Sequence, residues 1–196
     1  MKKGTIILLS VVALVVVLIF IVSSQYNGIV KVDEEVKAQW SNVENQYQRR
    51  ADLIPNLVAT VKGYAKHESQ TLENVVAARS RATQITVDPE NLTPEKLQEF
   101  QAAQGQLSSA LGKLLMITEN YPDLKANQNF RDLQVQLEGT ENRISTERTR
   151  FIEAVKAYNL KIRRLPTSIF AGILGFEKKA NFEAEEGKKE VPNVEF

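Results

Sequence analysis

The stretch VDEEVKAQWSNVENQYQRRADLIPNLVATVKGYA, residues 32–65, decides the fold of this chain. Its apolar side chains recur every three or four residues, which places them on one face of an amphipathic α-helix. Outward from this stretch, the same spacing returns in residues 97–115 and 130–162. No comparable run alternates apolar and polar residues as a strand would. We therefore predict an all-α protein.

Pro55 lies inside this stretch and leaves two interpretations of the helix open. The apolar spacing keeps its phase through the proline, which is typical of one long helix with a kink. However, a single helix from about residue 27 to 86 would be ~90 Å long, whereas its partner at about 95–120 would reach only ~39 Å. A break at Asp52–Pro55, with Asp52 as the cap, makes the helices more equal in length. We predict this break, as a tight turn or sharp kink, and hence an antiparallel up-and-down four-helix bundle.

Three further prolines mark the ends of the predicted helices. Thr93-Pro94 combines an N-cap residue with a proline at the first helical position, so a helix begins there. A residue that precedes proline is disfavoured in the α conformation, so the third helix ends at Tyr121-Pro122 and the fourth at Leu165-Pro166.

The N-terminus carries an apolar segment, Thr5 to Val22, which contains no charged residue and follows Lys2 and Lys3. As a helix it would span ~27 Å, close to the ~30 Å hydrocarbon core of a bilayer. A cleaved signal peptide is the alternative, with a cleavage site at Val22-Ser23-Ser24, but its apolar region usually runs about 7–15 residues. We predict a retained single-pass anchor that contacts the lipid bilayer. The chain then divides into the anchor (1–24), the helical bundle (25–165) and a C-terminal tail (166–196).

Composition excludes several classes of protein. The 196 residues include 25 basic and 24 acidic side chains, for a formal charge of +1, whereas a nucleic-acid-binding protein normally carries a basic excess. There is no cysteine, and His67 is the single histidine, which excludes disulfides, a cysteine nucleophile and a histidine-cluster metal site. We interpret His67-Glu68 as a polar pair on a helix surface, because a zinc protease needs a second histidine one turn away. We predict no metal, no cofactor, no nucleic acid and no small-molecule substrate.

Charged residues gather at the junction of the first two predicted helices and in the middle of the fourth. Glu141 and Arg148 lie on the stripe that Ile144 shares with the other apolar residues. A polar layer inside a bundle commonly sets the register of its helices, and a ligand or partner site is the alternative. A di-iron carboxylate site would need Glu-x-x-His motifs, which the sequence lacks. The candidate polar layer or partner site comprises Arg49, Arg50, Asp52, Glu138, Glu141, Arg143 and Arg148.

The tail begins with an apolar, uncharged segment, residues 166–176. The following residues, 177–190, are rich in lysine and glutamate and are predicted to be solvated and mobile. Five large side chains of the apolar segment either cap the open end of the bundle or contact a partner or the membrane. These candidate tail contacts are Ile169, Phe170, Ile173, Leu174 and Phe176.

Several runs closely resemble one family. They are RRADLIPNLV (49–58), VKGYAKHE (61–68), TENRI (140–144) and the closing VPNVEF (191–196). Together they resemble the LemA family of bacterial membrane-anchored helical proteins over nearly the whole chain, with departures such as Tyr47, where the family has an aliphatic residue. The resemblance implies an N-terminal anchor, an antiparallel helical bundle and no settled biochemical activity. In some bacteria, members look associated with membrane proteases or with small secreted-domain proteins.

The function that these observations favour is that of a non-enzymatic, membrane-tethered scaffold or adaptor whose helical faces and tail bind other proteins of the bacterial envelope. The alternative is an accessory or regulatory subunit of a membrane protease or transporter. A stand-alone hydrolase is disfavoured because the nucleophile and metal constellations are missing, although serine and carboxylate chemistry stays open.

Basic residues on either side of the anchor predict its orientation. Lys2, Lys3 and the α-amino group precede the anchor, whereas Lys31 and Lys37 follow it within about 20 residues, so the positive-inside rule narrowly favours a cytoplasmic N-terminus. We expect the body on the outer face of the cytoplasmic membrane. Protease added to spheroplasts should therefore digest the body while a cytoplasmic marker survives. A body that stays protected while an external marker is digested would establish the opposite orientation.

Overall fold

A computed structural model describes residues 3–182, and every regular element in that range is a helix. This confirms the all-α class for the described part of the chain. The elements are α1 (Lys3–Tyr64), α2 (Ser69–Gln84), α3 (Pro94–Thr118), α4 (Pro122–Ala126), α5 (Gln128–Arg163) and α6 (Thr167–Ile173).

Helix α1 is continuous over 62 residues, so the predicted break at Asp52–Pro55 is wrong. A proline inside a helix leaves the carbonyl four residues earlier without its amide donor. For Pro55 that carbonyl belongs to Ala51, which is buried. The Arg79 side chain of α2 supplies the missing donor, because its Nε donates to the Ala51 oxygen at 2.7 Å. The helix therefore passes the proline with the buried carbonyl satisfied by a neighbouring helix.

The first break in the chain instead lies at residues 65–68, between α1 and α2. His67-Glu68 belongs to this connection, which corrects its predicted place on a helix. Glu68 accepts a hydrogen bond from the Tyr121 hydroxyl at 3.0 Å, and Asn127 Nδ2 donates to the Tyr64 hydroxyl at 2.9 Å. These two contacts join the α1–α2 connection to the short segment around α4.

The predicted helix boundaries at the other prolines agree with the structure. Helix α3 begins at Pro94, and the Thr93 side chain caps it by accepting from the Lys96 amide. Helix α3 ends at Thr118, shortly before Tyr121-Pro122, and α5 ends at Arg163, shortly before Leu165-Pro166.

Helix α1 packs along α5, and both α1 and α3 contact α2. The α1–α5 contacts pair Gly28 with Lys161, Arg50 with Glu141, and Tyr64 with Asn127, so these two helices run in opposite directions.

The core consists of two apolar clusters, one on each side of Arg50. The first surrounds Trp40, whose ring lies 5.2–5.3 Å from those of Phe100 and Phe151. The second is built from aliphatic residues of α1, α2 and α3 together with Leu124 of α4 and with Phe130 and Leu137 of α5.

The apolar segment at the start of α1 has the length and composition of a membrane-spanning helix, and its side chains are exposed. The first buried residue of α1 is Ile29. Because the helix has no interruption between the two, the predicted boundary between anchor and bundle at residue 24 lies inside one rigid element.

The structure describes the C-terminal tail as far as residue 182. The apolar segment contains α6, whose Ile169 and Ile173 are exposed, as is Leu174, while Phe170 and Phe176 are only half-buried. The lysine-rich part was predicted to be solvated, but only Glu177 and Lys178 at its start are exposed, whereas Lys179 and Phe182 are buried. We call residues 174–182 the tail strap. The remainder of the predicted mobile segment, from residue 183 onward, lies outside the described residues.

Specific contacts explain why the tail strap is ordered. The Lys179 ammonium pairs with Asp33 of α1 at 2.9 Å and donates to the Pro89 carbonyl at 2.8 Å. The Asn159 side chain both donates to and accepts from the Lys179 backbone. Phe182 packs its ring 6.0 Å from Trp40, in the first apolar cluster.

Tyr158 adds a further contact to the strap, since its hydroxyl donates to the Glu177 carbonyl at 2.9 Å. Burial, assisted by the negative charges of Asp33 and Glu177, raises the pKa of Tyr158 to about 12, so the donor stays protonated at neutral pH. Lys179 is stable in this buried position because its ammonium group pairs with an acidic side chain and donates a hydrogen bond to a carbonyl oxygen.

The account of Pro55 predicts the outcome of a double-mutant cycle. Arg79→Met should lower the free energy of unfolding by about 1–3 kcal/mol, because the buried Ala51 carbonyl loses its donor. In a Pro55→Ala background the new amide of residue 55 donates to that carbonyl, so the same change should cost much less. Urea unfolding of the four proteins in detergent, followed by the fluorescence of Trp40, measures both costs. Equal costs of Arg79→Met in the two backgrounds would contradict this role of Arg79.

Candidate functional site

Arg50 is the one arginine of α1 that lies inside the body, with 1% of its surface exposed. It occupies a position on the buried stripe of α1, between Tyr47 and Ile54, that an apolar residue would normally fill. The helix therefore places a permanent positive charge between the two apolar clusters.

The guanidinium of Arg50 is held by α3 and α5. Its Nη1 donates to Ser108 Oγ at 2.8 Å and to Glu141 Oε1 at 2.6 Å. Its Nη2 donates to the side-chain oxygen of Gln104 at 2.6 Å and to the carbonyl of the same residue at 3.3 Å. Only Nε has no hydrogen-bond partner among the described residues. We call Arg50, Gln104, Ser108 and Glu141 the Arg50 cluster.

Further hydrogen bonds fix the Arg50 cluster from behind. Gln104 Nε2 donates to the Ala82 carbonyl of α2 at 3.1 Å, and Ser108 Oγ donates to the Gln104 carbonyl at 3.1 Å. The Tyr47 ring lies 5.1 Å from the Arg50 guanidinium carbon, at a distance suited to a cation–π contact. The two acceptors on α3, Gln104 and Ser108, are themselves anchored, so this side of the cluster is preorganised.

The structure brings together three of the seven predicted site residues, because Arg50, Glu141 and Arg148 line the same groove. Of the two glutamates in the predicted set, Arg50 pairs with Glu141 and not with Glu138. The other four are exposed and lie outside this groove: Arg49, Asp52, Glu138 and Arg143. Each successive residue of a helix is rotated by 100° about the helix axis, and this rotation places the four side chains outside the buried stripe.

Sequence reasoning missed Gln104, Ser108 and Arg79. A pattern in the sequence could have indicated Gln104, since it interrupts the apolar stripe of α3 between Phe100 and Leu107. No sequence pattern indicated Arg79, because its partner is a backbone carbonyl on another helix.

The Arg50 cluster lies at the side of an open groove of about 630 Å³ between α3 and α5. Arg148 contributes a second positive charge, and its guanidinium carbon lies 4.4 Å from the centre of the Phe182 ring of the tail strap. The remaining lining is mostly hydroxyl and amide: Gln101, Ser145 and Thr149, with Tyr47, Gly105, Ile144 and Ile152. Such a surface binds polar or charged groups by hydrogen bonds and ion pairs.

The titratable side chains of the groove have distinct environments. Burial raises the pKa of the Tyr47 hydroxyl, and the charges of Arg148 and Arg50 oppose that rise. The Glu141 side chain remains 47% exposed, so water reaches the acidic partner of the buried arginine. Within residues 3–182, no group of three or more histidine, cysteine, aspartate and glutamate side chains is placed to hold a metal ion.

An apolar helix of membrane-spanning length that continues into an all-helical body is the architecture of an anchored membrane protein. The model of the LemA family matches residues 39–196, so the chain belongs to the LemA family. The resemblance seen in the sequence is thereby confirmed, and the chain is a LemA-like membrane protein.

Three relatives illustrate the extent of the similarity. Magnetosome protein MamQ 2 of Paramagnetospirillum magneticum is 27% identical over 203 residues, which cover 95% of this chain and 73% of that protein. Magnetosome protein MamQ of Magnetospirillum gryphiswaldense is 27% identical over 191 residues, or 89% of this chain and 69% of that protein. Protein LemA of Metamycoplasma hominis is 25% identical over 167 residues, or 85% and 73%.

The Arg50 cluster predicts unequal costs for its two charged members. Arg50→Ala should lower the free energy of unfolding by about 3–5 kcal/mol, because it leaves buried acceptors unpaired and opens a cavity. Glu141→Ala should cost about 1–2 kcal/mol, since Arg50 keeps its bonds to α3 and the lost carboxylate was half in water. Urea unfolding of the full chain in detergent measures both values.

The exposed neighbour provides the control for this comparison. Arg49→Ala removes the same chemical groups from the surface and should change stability by less than about 0.5 kcal/mol. If Arg50→Ala unfolds at the same urea concentration as Arg49→Ala, the cluster does not hold the helices together.

Proposed function

We propose that this protein is a non-enzymatic scaffold or adaptor, tethered to the cytoplasmic membrane with its body on the outer face, and that envelope proteins bind in the groove between α3 and α5. One observation carries the proposal: the membrane anchor and the buried arginine beside the groove lie on the same uninterrupted helix. Arg50 follows Val22 by 28 residues, which sets it about 42 Å along α1 from the end of the apolar segment. A partner at that height is a protein domain or peptide and not a lipid.

The chemistry of the groove suits a polar segment of another protein. Glu141 and Arg148 provide accessible charges of both signs, while Ser145 and Thr149 provide hydroxyl groups that can donate or accept. Their positions on one face of α5 form a row along which a peptide backbone or a set of amide and carboxylate side chains can bind. The hydrogen bonds behind the Arg50 cluster hold the α3 side of the groove in place, which lowers the entropy lost on binding.

Two features support a role other than catalysis. Both terminal nitrogens of the Arg50 guanidinium, Nη1 and Nη2, already donate to protein acceptors, so Arg50 is a structural charge rather than one free to meet a substrate. His67, the single histidine of the chain, lies beyond the end of α1, and that end is about 21 Å further along the helix than Arg50.

Site-specific photo-crosslinking in native membranes tests this proposal. A photoreactive amino acid at Ser145, inside the groove, should capture envelope proteins in intact cells. The same amino acid at Arg143, which is exposed on α5 but outside the groove, is the matched control. Mass spectrometry then identifies the captured proteins.

Each outcome has a distinct meaning. Several envelope proteins captured at position 145, but not at 143, support the scaffold. One dominant protease or transporter subunit would instead favour an accessory subunit. Equal capture at the two positions would show that the groove is not the binding site.

A further inference from the structure

Helix α6 has one face without a protein partner. Ile169 and Ile173 are 57% and 79% exposed, and their spacing of four residues places them on one side of the helix. Thr167 and Ala171, also four apart, are buried on the opposite side. Leu165, which precedes α6, is 77% exposed as well. Large aliphatic side chains exposed in one region of a surface mark a contact with another apolar phase.

The position of α6 along α1 gives the height of this face. Thr167 Oγ1 donates to Gln25 Oε1 at 2.6 Å, and the Phe176 ring lies 5.9 Å from that of Tyr26. Gln25 follows Val22 by three residues, or about 4.5 Å of helix. The headgroup region of a bilayer is about 5–8 Å thick on each side of the hydrocarbon core. Helix α6 therefore docks on α1 at headgroup depth.

The charges around this face match the same environment. Arg163 and Arg164 are exposed at the end of α5, immediately before Leu165. No acidic residue occurs between Glu153 and Glu177, so nothing in that part of the sequence neutralises them. Arginines beside an apolar face bind lipid phosphates while the aliphatic side chains enter the boundary with the acyl chains.

We propose that the exposed face of α6, with Leu165, Ile169 and Ile173, inserts into the boundary between headgroups and acyl chains of the bilayer that α1 spans. The inference rests on the membrane anchorage proposed above. A single spanning helix leaves the body free to tilt and to rotate about the helix axis, whereas a second contact fixes both. The groove then has a set direction relative to the membrane. A second copy of the chain is less suited to this face, because its Arg163 and Arg164 would lie against the same two arginines of the first copy.

The absence of cysteine allows a direct test on the full chain. A single cysteine introduced as Ile173→Cys is labelled with an environment-sensitive fluorophore in vesicles of phosphatidylcholine and phosphatidylglycerol. Some of the lipid carries a spin label at the fifth acyl carbon, which quenches probes near the headgroup boundary. Met116→Cys, 71% exposed near the C-terminal end of α3, is the aqueous control, and Val16→Cys reports on the anchor.

The expected result is at least twofold quenching at position 173 by the spin-labelled lipid, together with protection from iodide in the buffer. The probe at 116 should show the reverse. A probe at 173 that behaves like that at 116 overturns the proposal, and so does protection from iodide without quenching by lipid, since protein would then cover the face. Quenching at 16 but not at 173 leaves the anchor intact and rejects only the α6 contact, whereas no quenching at 16 rejects the anchor itself.

A matched pair of substitutions tests the role of the apolar face. Ile169→Asp should reduce the lipid quenching of the 173 probe at least twofold, because a carboxylate does not enter the acyl boundary. Val135→Asp places the same charge on an exposed position of α5 far from α6 and should leave the quenching unchanged. Quenching that survives Ile169→Asp would contradict insertion of this face.

Discussion

The buried guanidinium of Arg50 is the constraint on which the arrangement of the helices depends. A charge removed from water requires partners in fixed positions, and here they come from α3 and α5, two helices that otherwise form the sides of the groove. The adjacent residue extends the same constraint, since the Ala51 carbonyl accepts from Arg79 of α2. One turn of α1 thus binds three other helices through directional hydrogen bonds. Aliphatic packing has no preferred direction, whereas these hydrogen bonds join particular residues of α1 to particular residues of α2, α3 and α5.

The continuity of α1 has mechanical consequences. The helix carries the apolar segment at one end and supplies the core with Trp40, Ile54 and Val61 further along. An anchor separated from its body by a loop would leave the body free to reorient. Here no flexible joint intervenes, so the height of each surface above the bilayer follows from helix geometry. The scaffold role proposed above would use this property, because the fixed height of the groove would set the position of a bound partner.

The tail couples the membrane-proximal end of the body to the groove. Helix α6 docks at Gln25, and the tail strap then runs past Asp33 and Asn159 to Phe182. Phe182 packs against Trp40 on one side and against the guanidinium of Arg148, a groove residue, on the other. The strap therefore connects the surface assigned to the bilayer with the surface assigned to a protein partner.

The sequence by itself determined the helical class, the apolar N-terminal segment of membrane-spanning length, the helix boundaries at Thr93-Pro94 and Leu165-Pro166, the family, and the clusters of charge that include Arg50 and Glu141. These follow from local rules: the 3.6-residue period, the missing amide of proline and the cost of an unpaired charge. Tertiary structure decided the rest. Pro55 is accepted inside α1 because Arg79 lies within reach of Ala51, and the tail is ordered because Lys179 finds Asp33. Both contacts join residues that are far apart in the chain, so the sequence around one residue gives no indication of its partner.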